Sequence, residues 1–295
     1  MDLTAEALDA VVSAALAEDV GEGDLTTEGI VPASLRCRAE LVLEEPGVIS
    51  GIPASCAVFQ ALDASVRLEP LLEEGGHVTE VPVRVAEIEG PARAILTGER
   101  TALNLFGRLC GIATLTARYV GVVEGTGTTI LDTRKTTPGL RSLEKYAVRC
   151  GGGVNHRLGL HDAILLKENH IRIAGGIAPA VAALRNGRPT KASLVDADQK
   201  RSADSAGRPL EVEAETLAEV AEALEAGVER ILLDDMTPEE VRRAVELVAG
   251  RAQLEASGGI SLGNVRAYAE TGVDFISVGA LTHSARSLHV SLDVL

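Results

Sequence analysis

The sequence predicts an α/β protein in which an α+β module is followed by an α/β barrel, and three observations carry that prediction. First, six short apolar runs after residue 128 each end in polar or small residues. They are Thr129-Ile130-Leu131-Asp132, Ala163-Ile164-Leu165-Leu166-Lys167, Leu210-Glu211-Val212-Glu213, Arg230-Ile231-Leu232-Leu233-Asp234, Gln253-Leu254-Glu255-Ala256-Ser257 and Phe275-Ile276-Ser277-Val278-Gly279. Second, Glu213, Asp234, Glu255 and Ser277 stand 21, 21 and 22 residues apart, a period that fits one strand, one helix and two turns. Third, the segments between these runs have helix signatures. Such alternation gives buried parallel strands, in a barrel or a doubly wound sheet. Polar residues close run after run, which favours the barrel; a flat sheet would gather them at one switch point.

In chain order, residues 3–17 carry Leu3, Ala7, Leu8, Val11, Val12, Ala15 and Leu16 at spacings of three and four, a helical stripe. After Pro32, the stretches 37–48, 65–72, 81–88 and 92–96 read as short strands between Gly and Pro, with Val81, Val83 and Val85 alternating. Residues 101–123 read as a helix through Leu103, Leu105, Phe106, Leu109, Ile112 and Leu115. Gly107 and Gly111 weaken it and mark a break or a close helix contact. In the second half, Thr216 to Ala226 reads as a helix that ends at Gly227. Thr237-Pro238-Glu239-Glu240 is an N-cap, a proline at the first helical position and a capping-box glutamate, and Gly250 closes that helix. Ser261 to Glu270 is the next helix, stopped by Gly272. The polar stretch Asn186 to Arg208 is expected to be an exposed insertion or loop, not an active-site lid.

Composition excludes several classes. The chain has 295 residues and a formal net charge of −15, so it is a poor general binder of nucleic acid or anionic membrane. Aromatic residues are 2%, too few for stacking platforms on single strands. No stretch of eighteen apolar residues suggests a transmembrane helix, and Met1 to Asp19 lacks the basic start of a secretory signal. Cys37, Cys56, Cys110 and Cys150 form no CxxC pair, so reduced, mostly buried thiols in a cytoplasmic protein are expected.

Charge gives the sharpest local signal. Between Asp132 and Arg172 there are eight basic residues against four acidic ones. A positive island in an acidic chain can focus a small anion. Arg141, Lys145 and Arg149, four residues apart, are expected along one solvated helix side. Arg134, Lys135 and Lys167 fall at strand ends instead. In Asp132-Thr133-Arg134-Lys135-Thr136-Thr137, hydroxyl and guanidinium donors together suit carboxylate or phosphate. His156 and Arg157 follow three glycines inside the same island. Glu213 and Asp234 can bind sugar hydroxyls or hold Mg²⁺ through water, or pair with Lys135 or Lys167. Ser257-Gly258-Gly259 and Gly279 end the last two strands, where backbone N–H groups can approach a phosphate.

These residues together resemble the quinolinate phosphoribosyltransferases. The resemblance runs through Glu18-Asp19 with Gly23-Asp24-Leu25-Thr26-Thr27, Gly47-Val48-Ile49-Ser50-Gly51 and Glu99-Arg100-Thr101-Ala102-Leu103-Asn104. It continues through Asp132-Thr133-Arg134-Lys135-Thr136, Asn155-His156-Arg157, Leu166-Lys167-Glu168-Asn169-His170, Leu233-Asp234 and Glu255-Ala256-Ser257-Gly258-Gly259-Ile260. Each piece is weak alone; their order and spacing together are specific.

The resemblance implies an N-terminal α/β sandwich domain over residues 1–113 and an incomplete, open α/β barrel over 114–280, of the type II phosphoribosyltransferase kind. The tail 281–295 would return to the first domain. It implies a cytoplasmic homodimer, or a larger assembly of dimers, in which Arg100 reaches the partner's site. Thr133, Arg134, His156, Arg157 and Lys167 would hold the pyridine dicarboxylate quinolinate. Lys135, Glu213 and Asp234 would surround phosphoribosyl pyrophosphate and Mg²⁺, and Ser257, Gly258, Gly259 and Gly279 would cradle its 5′-phosphate. Lys135, Lys167, Glu213 and Asp234 would carry the chemistry. Other readings of the same residues are a paralogous enzyme acting on another acid, a Schiff-base aldolase with Lys167 as nucleophile, and a barrel kept as a binding subunit.

Overall fold

The computed structural model describes residues 3–187 and 210–295. In chain order the elements are α1 (Ala5–Val20), α2 (Leu25–Ile30), β1 (Arg36–Leu43), β2 (Gly47–Val48), α3 (Ile52–Leu62), β3 (Arg67–Pro70), β4 (His77–Val78), β5 (Val83–Pro91) and α4 (Ala92–Val123). There follow β6 (Thr129–Leu131), α5 (Arg141–Cys150), β7 (Leu165–Leu166), α6 (Glu168–Ala174), α7 (Ile177–Gly187), β8 (Glu211–Ala214), α8 (Leu217–Glu225) and β9 (Arg230–Asp234). The last are α9 (Pro238–Val248), β10 (Gln253–Ser257), α10 (Val265–Ala269), β11 (Phe275–Ser277), α11 (Ala280–His283) and β12 (Val290–Val294). Most of the 186–208 stretch lies outside the described residues; only Asn186 and Gly187, at the end of α7, fall within them.

The chain forms two compact units. One comprises Tyr119–Arg134 and Asn155–Val278; the other comprises Asp2–Arg118, Lys135–Val154 and Gly279–Leu295. The fold class is α/β, with a six-stranded parallel sheet in the first of these and an antiparallel sheet in the second.

In the unit that holds the chain's start, the antiparallel sheet runs β12-β1-β5-β3, with Leu41 opposite both Leu292 and Ala86. Its apolar residues Leu41, Leu43 and Ile88 are buried with Phe59, Ile95, Phe106 and Leu109 from α3 and α4. Each fully buried side chain of this size contributes roughly 1.5–3 kcal/mol. Gly107 and Gly111 mark a close contact and not a break. A Cβ at Gly111 would lie 1.9 Å from the Arg286 carbonyl oxygen, and one at Gly107 would lie 2.8 Å from that of Leu288. The Leu288 N–H donates to the Gly107 carbonyl at 2.9 Å, so the C-terminal chain rests directly on the helix backbone.

Three local expectations need correction here. Residues 92–96 are not a strand but the opening of the 32-residue helix α4. Ala92, Ile95, Ala102, Phe106 and Leu109 form one continuous helical stripe, which a five-residue window cannot distinguish from a strand. Lys145 does not lie on a solvated face; it is buried on α5, and Arg141 and Arg149 are half-buried. Of the four thiols, Cys110 alone is fully buried, and Cys37, Cys56 and Cys150 are partly exposed.

In the other unit the parallel sheet runs β6-β11-β10-β9-β8-β7. All six predicted runs form strands, and β9 and β10 keep the expected bounds. Side chains alternate across a strand, and the two faces differ. Val212, Ile231, Leu233, Leu254, Ala256 and Ile276 form a buried apolar face. Glu211, Glu213, Arg230, Asp234, Glu255 and Ser257 share the opposite face, by the register Glu211↔Arg230, Gln253↔Arg230 and Ser257↔Asp234. Helices α8 and α9 begin at Thr216 and Thr237, whose hydroxyls accept the N–H groups of Glu219 and Glu240 in reciprocal capping boxes. Among the described residues, no helix is long and apolar enough to cross a membrane.

Candidate active site

The polar face of the parallel sheet converges at the C-terminal strand ends. Asp132, immediately after β6, is fully buried. Its Oδ1 accepts the His156 backbone N–H at 2.9 Å, and its Oδ2 accepts Asn155 Nδ2 at 2.6 Å. Two charge-assisted bonds thus fix the Asn155–Arg157 loop to the strand end. A second carboxylate closes the loop from its far side. Asp162 accepts the Leu158 and Gly159 N–H groups at 2.7 and 2.9 Å.

Arg157 on this loop is 6% exposed, with Nη1 donating to the Ala163 carbonyl at 3.2 Å. Burial, and then the nearby Arg134 guanidinium, press its pKa below the ordinary arginine value. Arg134 is half-buried, and its Nε is a buried donor with no hydrogen-bond partner among the described residues. Two like charges thus lie near one another beside a donor without a partner, an arrangement that suits a negative group. Thr133 sits beside them, half-buried.

Lys167, just after β7, is half-exposed, and its Nζ donates to Glu213 Oε2 at 2.9 Å. Glu213 also accepts the Glu168 N–H through its other oxygen at 3.3 Å. This is the strand-end pairing expected for Lys167, and it engages the ammonium that a Schiff-base aldolase would need as a free nucleophile. Asp234 lies at the end of the adjacent strand β9, half-buried.

At the end of β10 the chain turns through Gly258 and Gly259 with φ of 89° and 59°. A Cβ at Gly258 would sit 2.0 Å from Asp235 Oδ1 and 2.7 Å from the Asp235 backbone nitrogen, so only glycine fits. A Cβ at Gly259 would meet nothing within 4 Å, which leaves its backbone open to a ligand. The structure thus brings Thr133, Arg134, His156, Arg157, Lys167, Glu213, Asp234, Ser257, Gly258 and Gly259 to the strand ends of one unit. Arg100, Lys135 and Gly279 belong to the other unit. There Arg100 is exposed on α4, the Lys135 carbonyl accepts the Thr282 hydroxyl at 2.7 Å, and Gly279 precedes α11.

His156 differs from the other expected ligands. Its side chain is 9% exposed, and its Nε2 lies 3.1 Å from Glu211 Oε2 and 3.5 Å from Glu255 Oε2. Its Nδ1 accepts the Arg157 N–H at 2.7 Å. Burial opposes a charge on this ring, but Glu211 and then Glu255 outweigh it and carry the pKa up to about 9. The Arg157 N–H makes the opposite demand, because a second ring proton would face it across 2.7 Å. The contact orients the ring, with Nδ1 toward the Arg157 N–H and Nε2 toward the two acids. Burial raises the Glu211 pKa. Against its own burial, Glu255 is held below the usual range by His156.

Glu211, Glu255 and Arg230 were not picked out as site residues by sequence reasoning. Their signal was present: Glu211 and Glu255 stand two positions before Glu213 and Ser257, and Arg230 four before Asp234, all on the same sheet face.

Comparisons with known proteins place the chain in a family. A family model described as "Quinolinate phosphoribosyl transferase, N-terminal domain" matches residues 24–110, and its C-terminal counterpart matches residues 112–293. The chain is 42% identical over 277 residues to a probable nicotinate-nucleotide pyrophosphorylase [carboxylating] of Bacillus subtilis, covering 94% of this chain and 90% of that one. It is 41% identical over 286 residues to the nicotinate-nucleotide pyrophosphorylase [carboxylating] of Mycobacterium leprae, covering 95% and 94%. Among solved structures, NadC from Streptococcus pyogenes superposes with a TM-score of 0.89 at 39% identity, covering 100% of this chain and 99% of that one. By sequence, fold and strand-end chemistry, the chain belongs to the quinolinate phosphoribosyltransferase family.

Proposed function

We propose that this protein transfers the phosphoribosyl group of phosphoribosyl pyrophosphate to quinolinate with loss of CO₂, giving nicotinate mononucleotide and pyrophosphate in NAD biosynthesis. The observation that carries the reading is the half-buried Arg134, with its orphan Nε donor, close to the buried Arg157. Such a pair matches a planar dicarboxylate, which takes guanidinium donors two at a time.

In this reading Arg134 and Arg157 grip the carboxylates, with Thr133 and Lys167 beside them, and turn the pyridine nitrogen toward ribose C1. The bond from C1 to pyrophosphate breaks while the bond from nitrogen to C1 forms, through an oxocarbenium-like transition state. Lys135 stabilises charge on the departing pyrophosphate. The ring nitrogen is then positive. When the 2-carboxylate leaves as CO₂, the electrons of its bond pass toward that nitrogen, and C2 takes a proton from solvent. The scheme needs no side-chain nucleophile. The backbone at Ser257, Gly258, Gly259 and Gly279 receives the 5′-phosphate.

Glu213 and Asp234 offer a hard, all-oxygen donor pair on neighbouring strands, which suits Mg²⁺ held directly or through water. When bound, the ion neutralises charge on the pyrophosphate group. The working form is a cytoplasmic homodimer in which Arg100 of the partner subunit completes each site. The functional division of the chain is proposed as 1–113 and 114–280, with the tail 281–295 joining the first part.

The test is direct. Purified protein incubated with quinolinate, phosphoribosyl pyrophosphate and Mg²⁺ should yield nicotinate mononucleotide and CO₂ in equal amounts. Absence of both products from folded protein would defeat the reading.

A further inference from the structure

Beneath the strand ends lies a buried polar layer that the proposed reaction leaves unused. Glu211 and Glu255 are 4% and 0% exposed. Arg230 Nη1 stands 3.7 Å from Glu255 Oε2, and its guanidinium lies over the Phe275 ring at 4.1 Å and donates to Gln253 Oε1 at 3.3 Å. Neither Glu255 oxygen reaches hydrogen-bond geometry with a partner among the described residues. A buried acid in this state is costly unless a positive or donor group is held against it. His156 Nε2 is held against both acids, 3.1 Å from Glu211 Oε2 and 3.5 Å from Glu255 Oε2, and the shorter Glu211 contact with the Glu255 charge beside it fixes the ring.

We propose that Glu211, Glu255 and Arg230 are positioning residues that hold His156 by Nε2, and that His156, through Nδ1, sets the Arg157 backbone and so aims its guanidinium. His156 then acts through Arg157 and does not touch the substrate, because both ring nitrogens are engaged by the protein. The inference rests on the reading that quinolinate binds at Arg134 and Arg157. A rival occupant is a metal ion, since ligand atoms of His156, Glu211 and Glu255 all lie within 4.8 Å of one another. The geometry favours the metal-free network. Arg230 already brings a positive charge to Glu255, and a divalent ion would leave this buried layer with excess positive charge.

The test is a double-mutant cycle on the full-length enzyme. Glu255→Gln should raise the quinolinate KM roughly 10–100-fold, as the loss of an orienting partner typically does. The KM for phosphoribosyl pyrophosphate should stay within about twofold, the limit expected of an uncoupled site. In an Arg157→Ala background, Glu255→Gln should change the quinolinate KM by less than about threefold, since there is no guanidinium left to aim. His156→Ala should behave in the same way, and it decides the matter if Glu255→Gln does not fold. Equal factors in both backgrounds would overturn the inference, as independent contact or general damage predicts. One equivalent of divalent metal on the purified wild type, lost in Glu255→Gln, would overturn it too. Wild-type protein that fails to turn over quinolinate would instead defeat the functional reading beneath it.

Discussion

Replacing Asp132 by Asn changes one atom at the root of the loop that carries Arg157. Asp132 is fully buried and accepts two donors, the His156 N–H at 2.9 Å and Asn155 Nδ2 at 2.6 Å. Hydrogen bonds to a charged group contribute about 1.5–3 kcal/mol each, and neutral ones about 0.5–1.5. Asparagine fits the same volume but keeps one acceptor oxygen. One contact weakens to a neutral bond, and the other becomes an N–H facing an N–H. The expected loss from these two bonds is about 2–4 kcal/mol, and it falls on the Asn155–Arg157 loop. If about 2 kcal/mol appears as displacement of that loop, the competent population falls roughly 30-fold. The quinolinate KM should rise by a similar factor, with the phosphoribosyl pyrophosphate KM nearly unchanged. Steady-state kinetics with each substrate varied in turn, beside thermal unfolding of the same variant, measures both effects. A destabilised Asp132→Asn enzyme with wild-type quinolinate KM would refute the claim that Asp132 places Arg157.

Other outcomes follow from the same geometry. Arg134→Ala should chiefly impair quinolinate use, by about 100-fold in kcat/KM if a bidentate carboxylate clamp of roughly 3 kcal/mol is lost; unchanged kinetics would remove Arg134 from the site. Mixing inactive Arg100→Ala and Lys167→Ala chains should restore activity in heterodimers, and no recovery after proven subunit exchange would count against a shared site. Thr237→Ala removes the hydroxyl cap of α9 and should cost about 1 kcal/mol in urea unfolding with kcat unchanged. Burial pushes the Cys150 thiol up to about 11 and the Cys110 thiol higher still, so neither should react quickly with iodoacetamide at neutral pH unless the protein is first unfolded.

The sequence was most legible where a local pattern settles the structure. Strands β9 and β10 are apolar runs closed by Asp234 and Ser257, and the caps at Thr216 and Thr237 are short-range chemistry. Legibility failed where context decides. Residues 92–96 look like a strand alone and become helix because the stripe continues to Leu109. Helix α3 was missed because it starts after Gly51 in a left-handed conformation, where Glu74, more than twenty residues away, accepts the Gly51 and Ile52 N–H groups. Lys145 reads as a surface residue by its spacing, and packing buries it. Among site residues, the cations and glycines were visible as motifs. Asp132 and Glu255 stood inside such motifs, but what they hold was not legible, since Asp132 meets His156 across 24 positions and Glu255 meets it from β10.

That division has a physical cause. A parallel sheet is ordinarily apolar on both faces, and here one face obeys the rule: Val212, Ile231, Leu233, Leu254, Ala256 and Ile276 are buried. The other face carries Glu211 and Glu255, with the partly exposed Arg230 beside them, at depths where an unpaired carboxylate would destabilise the fold by several kcal/mol. Such a layer persists only if its charges compensate one another, so each member fixes the position of the next. Glu255 requires a partner at Nε2 of His156; a ring held there leaves Nδ1 aimed at the Arg157 N–H; and Arg157, itself buried, can then lie beside Arg134 despite their repulsion. The rigidity that a dicarboxylate site demands is therefore supplied by electrostatic necessity one layer below it, and a neutral apolar layer of equal volume would make the sheet no less stable while leaving Arg157 unaimed.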